Sequence, residues 1–110
     1  MIDLEKMAKE HEKLFPKATA ESQFFKMEEE IRELELANGN EDEIRKELAD
    51  VLIVCGGLYR FFPETAESLR QYYENRFSFR NIAVEVARKW EINKQRKWEW
   101  NGKTYHHTEE

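Results

Sequence analysis

Two pairs of carboxylates, Glu30-x-x-Glu33 and Glu47-x-x-Asp50, are the residues of this 110-residue chain whose types and spacing best suit chemistry. Within a helix, a step of three keeps both members of a pair on one face. Each acid directly precedes a residue of an apolar stripe, namely Ile31, Leu34, Leu48 and Val51. At 3.6 residues per turn, each pair therefore sits about 100° round from its own core-facing line. Two antiparallel helices packed through those stripes bring four carboxylates to a common edge. Like charges gathered there repel unless a cation neutralises them, and hard oxygen donors select Mg²⁺, Mn²⁺ or Ca²⁺ over zinc. Such spacing also occurs on ordinary solvated helices, because glutamate is a strong helix former. The chemistry on offer is Mg²⁺ binding for a phosphate substrate.

The elements that must position these acids are helices. Apolar residues recur at steps of three and four almost throughout, and no strict alternation is long enough to propose a strand. A short first helix is expected from about Asp3 to Leu14, stopping before Pro16. Thr19 caps a second over about Ala20–Ala37, which carries Phe24, Met27, Ile31 and Leu34 and ends at Asn38-Gly39-Asn40. Asn40, with Glu43 at the capping-box position, starts a third helix bearing Leu48, Val51, Leu52, Cys55 and Leu58. So short a connection makes the second and third helices antiparallel neighbours. Gly56-Gly57 within the third costs about 1 kcal/mol per glycine relative to alanine, which close approach of another helix or a functional hinge would offset. Pro63 suits the first turn of a fourth helix, and a last helix is expected from about Ser78 to Trp98. The fold class is all-α: a bundle of four to five helices in one domain over residues 1–110, with an irregular tail over about 99–110.

Composition agrees and narrows the function. Charged residues are 37% and apolar ones 40% of the chain, with four Gly and two Pro, which favours long amphipathic helices over a turn-rich sheet. A net charge of −5 argues against stable nucleic-acid binding. Residues 1–50 hold 15 of the 23 acids, whereas residues 76–103 hold eight Lys/Arg against three acids, an asymmetry that suits an acidic metal site facing a basic phosphate clamp. Charges coating solvated helix faces give the same pattern. The single cysteine, Cys55, permits no intrachain disulfide and fits a reducing cytoplasm. No signal-peptide pattern opens the chain and no run approaches the roughly 20 apolar residues needed to span a bilayer, so a cytoplasmic location and no membrane partner are expected.

The stretch Lys26-Met27-Glu28-Glu29-Glu30-Ile31-Arg32-Glu33-Leu34, followed by Glu47-Leu48-Ala49-Asp50-Val51-Leu52, resembles the EExxEL and ELADVL signatures of MazG-type all-α nucleotide pyrophosphohydrolases. The resemblance covers about residues 20–100. It implies Mg²⁺ (with Mn²⁺ as an alternative) held by Glu30, Glu33, Glu47 and Asp50, and hydrolysis of a nucleoside triphosphate between its α- and β-phosphates. Glu29 matches the first acid of EExxE and, on that resemblance, assists with a second metal or with the water. Lys89, Asn93 and Arg96 are similar to the family's substrate-contacting late helix; at i, i+4 and i+7 they would line one face within reach of phosphates. The family also implies a homo-oligomer, a dimer or tetramer.

One departure narrows the substrate. The related phosphoribosyl-ATP pyrophosphatases typically place a histidine four residues after the motif aspartate, where this chain has Val54. Trp90, Trp98 and Trp100 are candidates to stack on a base, with packing in the core or between subunits an equal alternative for Trp90. Adjacent histidines such as His106-His107 can bind metal, but in a mobile tail they read more readily as bystanders, and residues 60–78 carry no assignable role. Two other classes remain: a non-catalytic helical interaction module that keeps the bundle, and a nucleic-acid adaptor using the basic C-terminal half.

Overall fold

Helix α3 (Glu41–Tyr59) is the axis around which the chain is organised, in contact with four neighbours: α1 (Leu4–Leu14), α2 (Ala20–Leu36), α4 (Pro63–Phe77) and α5 (Ile82–Gln95). The sequence accounts for this centrality, because Leu48, Val51, Leu52, Cys55 and Leu58 are fully buried on it. The computed structural model describes residues 2–37 and 39–108; Met1, Asn38 of the expected helix stop, and Glu109 and Glu110 of the tail lie outside the described residues. A radius of gyration of 13.1 Å is that of one compact unit, the globular value for about 100 residues being ≈ 13 Å. No helix among the described residues is long and apolar enough to cross a membrane.

The helix starts follow local capping chemistry. Asp3 accepts from the Lys6 N–H, and Asn40 from the Glu43 N–H. At α2, Thr19 and Ser22 form a reciprocal capping box. Pro63 occupies the first turn of α4.

Gly56 and Gly57 are buried where α1 and α2 press on α3. A Cβ at Gly56 would lie 2.9 Å from Met7 Cβ; one at Gly57 would lie 2.6 Å from His11 Nε2 and closer still to Gln23 Oε1. Close approach, one of the two explanations the sequence left open, is what the structure shows.

Three expectations need correction. The last helix begins at Ile82 rather than Ser78, because Ser78 (φ 51°) and Asn81 (φ 61°) are left-handed and break the chain direction. The turn they enclose is pinned by Arg45, whose guanidinium lies 4.6 Å from the Phe79 ring centroid and donates to the Arg80 carbonyl at 2.8 Å. That helix ends at Gln95, so Arg96 is an extended cap residue and Trp98 is not helical. Nor is the tail irregular. Strands β1 (Trp98–Trp100) and β2 (Tyr105–His107) form an antiparallel hairpin pairing Trp98 with His107 and Trp100 with Tyr105. Asn101 Oδ1 accepts from the Lys103 and Thr104 N–H groups at 2.9 Å, and Gly102 supplies the positive φ of +93°. Among the described residues the architecture is a five-helix bundle with one small hairpin.

Candidate metal centre and cavity

Antiparallel packing of α2 on α3 brings acids from the two helices together at one edge. Glu30, Glu47 and Asp50 each offer an oxygen within 4.8 Å of the others, and all three are part-buried. Burial first, then the charges of Asp50 and Glu33, push the Glu30 carboxyl up to about 7. The same causes in the same order raise Glu47, whose Oε2 is buried with no hydrogen-bond partner among the described residues. A carboxylate oxygen buried without a hydrogen bond among like charges is costly, and positive charge placed beside it, from Lys89 or from a bound cation, relieves that cost. The donor set, all carboxylate oxygen, fits Mg²⁺ or Mn²⁺.

Glu33, expected as a fourth ligand, is exposed and outside that cluster of three. It still lines the same cavity, and its charge acts on both Glu30 and Glu47. Glu29 lies on the cavity wall and pairs with Lys26 at 3.2 Å.

The three basic or polar candidates of α5 separate. Lys89 Nζ lies 2.8 Å from Asp50 Oδ1 and 3.3 Å from the Lys46 carbonyl, directly on the carboxylate cluster. Asn93 and Arg96 instead line the cavity. Because the helix stops at Gln95, the single helical face expected for all three does not extend to Arg96.

A cavity of about 400 Å³ adjoins these acids. Its acidic end is Glu29, Glu30, Glu33 and Asp50; its other end is aromatic, formed by Phe15, Trp98, Tyr105 and His107. The hairpin walls the aromatic end. Phe15 meets Trp98 edge-on at 5.1 Å and Tyr105 at 4.9 Å, and the Tyr105 hydroxyl accepts from the Lys17 N–H at 2.9 Å. The Trp98 indole donates to the Asn93 carbonyl at 2.8 Å. His106 and His107, read from sequence as bystanders in a mobile tail, are both on the cavity wall.

Trp90, left open between stacking and packing, is in the core. It donates to Glu10 Oε1 at 2.7 Å, and that bond, partly opposed by burial, lowers the Glu10 carboxyl. The Cys55 thiol, pushed up to about 12 by burial, is a core group and not a nucleophile.

Sequence reasoning missed His11 and Gln23, which line the cavity although only 7% and 5% exposed. Burial and the adjacent Arg60 charge push His11 down to about 3, so it is neutral, with Arg60 3.0 Å from its Nδ1. The signal was available. His11 continues the Leu4, Met7 stripe of α1, and Gln23 precedes Met27 by one turn, so each is polar at a core phase of its helix.

Comparison with known proteins returned no match to a family model, a curated protein or a solved structure.

Proposed function

We propose that this chain is a Mg²⁺-dependent nucleoside triphosphate pyrophosphohydrolase, cleaving an NTP or dNTP between the α- and β-phosphates to a monophosphate and pyrophosphate, in nucleotide-pool cleansing or control. The observation that carries the reading is the convergence of Glu30, Glu47 and Asp50 beside a cavity whose far end is aromatic. A site of this size and mixed lining suits a small molecule with one charged and one flat apolar end.

Glu30, Glu47 and Asp50, with Glu33 at the margin, would hold the divalent cation, which supplies charge neutralisation and a more acidic water when bound. The remaining work falls to the chain's own residues. Lys89, at the carboxylate cluster, and Arg96, whose guanidinium has no ion-pair partner among the described residues, bind phosphate oxygens and stabilise the departing pyrophosphate. Asn93 orients the phosphates from the cavity wall. In the reaction, the water oxygen bonds to the α-phosphorus and the bond from it to the α,β-bridging oxygen breaks. The water proton passes to a carboxylate, for which Glu33 and Glu29, on the cavity wall and outside the cluster of three, are placed.

A homodimer or tetramer is part of the proposal, supported by the exposed Phe24 and Phe62, whose rings meet at 5.7 Å on the surface. A cytoplasmic setting fits the one buried, unpaired thiol.

The test is product analysis over a panel of canonical and modified NTPs and dNTPs, with Mg²⁺, with Mn²⁺ and with EDTA. Monophosphate plus pyrophosphate, formed only with metal, is expected. Diphosphate plus phosphate, metal-independent turnover, or no turnover of any member contradicts the proposal.

A further inference from the structure

The aromatic end of the cavity is built from costly choices that converge on one place. His11 and Gln23 are polar and buried, which is unfavourable unless their polar atoms find partners. Arg60 meets His11 Nδ1 at 3.0 Å, and the Gln23 amide nitrogen reaches Ser22 Oγ at 3.4 Å. Each side chain keeps further hydrogen-bonding capacity. With the Arg60 guanidinium donating to Nδ1, the proton of the neutral ring sits on Nε2, and Gln23 keeps its carbonyl oxygen as an acceptor.

Both free ends occupy the space that a side chain at position 57 would fill, so Gly57, unfavourable in a helix interior, makes room for them. A floor built for stability alone would use apolar residues at all three positions.

The hairpin stands beside this floor, joined to it through Phe15, whose ring centroid lies 4.7 Å from that of His11. Alternation along paired strands puts Trp98, Trp100, Tyr105 and His107 on one face and Glu99 and His106 on the other. Trp98 and Tyr105 rest on Phe15 yet remain only half-buried, leaving ring surface on the cavity.

We infer that this end of the cavity is a nucleobase subsite, in which the hairpin, chiefly Trp98, supplies the stacking surface and the His11–Gln23 floor supplies donor and acceptor to the base edge. The inference rests on the pyrophosphohydrolase reading for the orientation of the substrate, phosphates towards the carboxylates. It assigns two separable tasks. Stacking tolerates any base, because every base has a π-face, whereas a buried donor and acceptor discriminate among base edges.

The experiment measures equilibrium binding of the nucleoside and deoxynucleoside 5′-monophosphates, with ribose 5-phosphate as the baseless control, all in EDTA so that hydrolysis plays no part. At least one monophosphate is expected to bind about tenfold or more tighter than ribose 5-phosphate, the lower range of a base–aromatic stack. Trp98→Ala is expected to remove that advantage for every base. Gln23→Met, close in volume, is expected to change the ranking of the bases.

In the unaltered protein, the Trp98 indole N–H resonance, assigned with Trp98→Phe, should shift on adding the monophosphate and not on adding ribose 5-phosphate. This keeps the test decisive even where Trp98→Ala melts the hairpin. Equal affinity for all monophosphates and ribose 5-phosphate, or an unmoved Trp98 resonance, overturns the subsite. Base-dependent binding without triphosphate turnover would instead sink the pyrophosphohydrolase reading and leave the subsite standing.

Discussion

The two ends of the cavity are built by different means. The acidic end is set by spacing within two adjacent helices: once α2 and α3 pack antiparallel, Glu30, Glu47 and Asp50 must meet. The aromatic end joins Phe15 after α1, Gln23 on α2 and a hairpin about 80 residues further on. The first is a local consequence of helical phase; the second exists only when distant segments close on one another. Clustered charge is held by a rigid helix pair, while the aromatic surface, proposed above to receive a base, depends on a small appended element.

The largest effect should come from the acidic end. Glu47→Gln or Asp50→Asn is expected to lower kcat for triphosphate hydrolysis by at least about a hundredfold, the scale for losing one electrostatic contact to a transition state, with the helical circular dichroism unchanged. Near-normal turnover in either variant would break the assignment of chemistry to that end.

Next in size is the floor of the aromatic end. Gly57→Ala forces a Cβ to within 2.6 Å of His11 Nε2, and overpacking of this kind costs about 1–3 kcal/mol. A fall in Tm of roughly 4–8 °C per kcal/mol follows for a domain of this size. Gly57→Ala with unchanged Tm would show that His11 and Gln23 are not held against α3.

The two ends also titrate in opposite senses. Glu30, raised to about 7, binds a proton more tightly folded than unfolded, so without metal it weakens the fold as pH rises from about 4.5 through 7. His11, lowered to about 3, is neutral when folded, so its contribution is present above about 6.5 and is lost as pH falls below that value. Melting curves across pH 4–8 in EDTA should therefore show a loss at each side. Saturating Mg²⁺ should abolish the loss on the high-pH side only, and a Mg²⁺ effect confined to low pH would contradict this.

A smaller effect is expected where the hairpin is anchored. Tyr105→Phe removes the hydroxyl that accepts from the Lys17 N–H, at a cost of about 1 kcal/mol, read by denaturant midpoint. Hydrogen exchange should speed at Lys17 and in the hairpin while α3 stays protected. Equal acceleration throughout would show that the hairpin is not a separable element.

The sequence disclosed the helices and the acidic end because their signals are local: apolar periodicity, N-caps at Thr19 and Asn40, and acids at i, i+3. It misplaced the limits of α5, since the left-handed Ser78 and Asn81 are stabilised by tertiary contacts of Arg45 with Phe79 and Arg80. The hairpin was legible and overlooked. Trp98-Glu99-Trp100 and Tyr105-His106-His107 flank an Asn-Gly turn, a short-range hairpin signal, but strands of three residues are too short for alternation to stand out from a helical chain. What no local pattern revealed is that Gly57, His11 and Gln23 share one volume, because that depends on how closely α1 and α2 approach α3.

The central claim is that the α2–α3 carboxylates form a divalent-cation site, and calorimetric titration of the nucleotide-free protein with Mg²⁺ tests it most directly. Saturable binding is predicted for the unaltered chain, accompanied by proton release that grows as the pH is lowered towards 6, since Glu30 must give up its proton to serve as a ligand. It is predicted to vanish in Glu47→Gln. Absence of binding in the unaltered chain, or binding that survives Glu47→Gln undiminished, would contradict it.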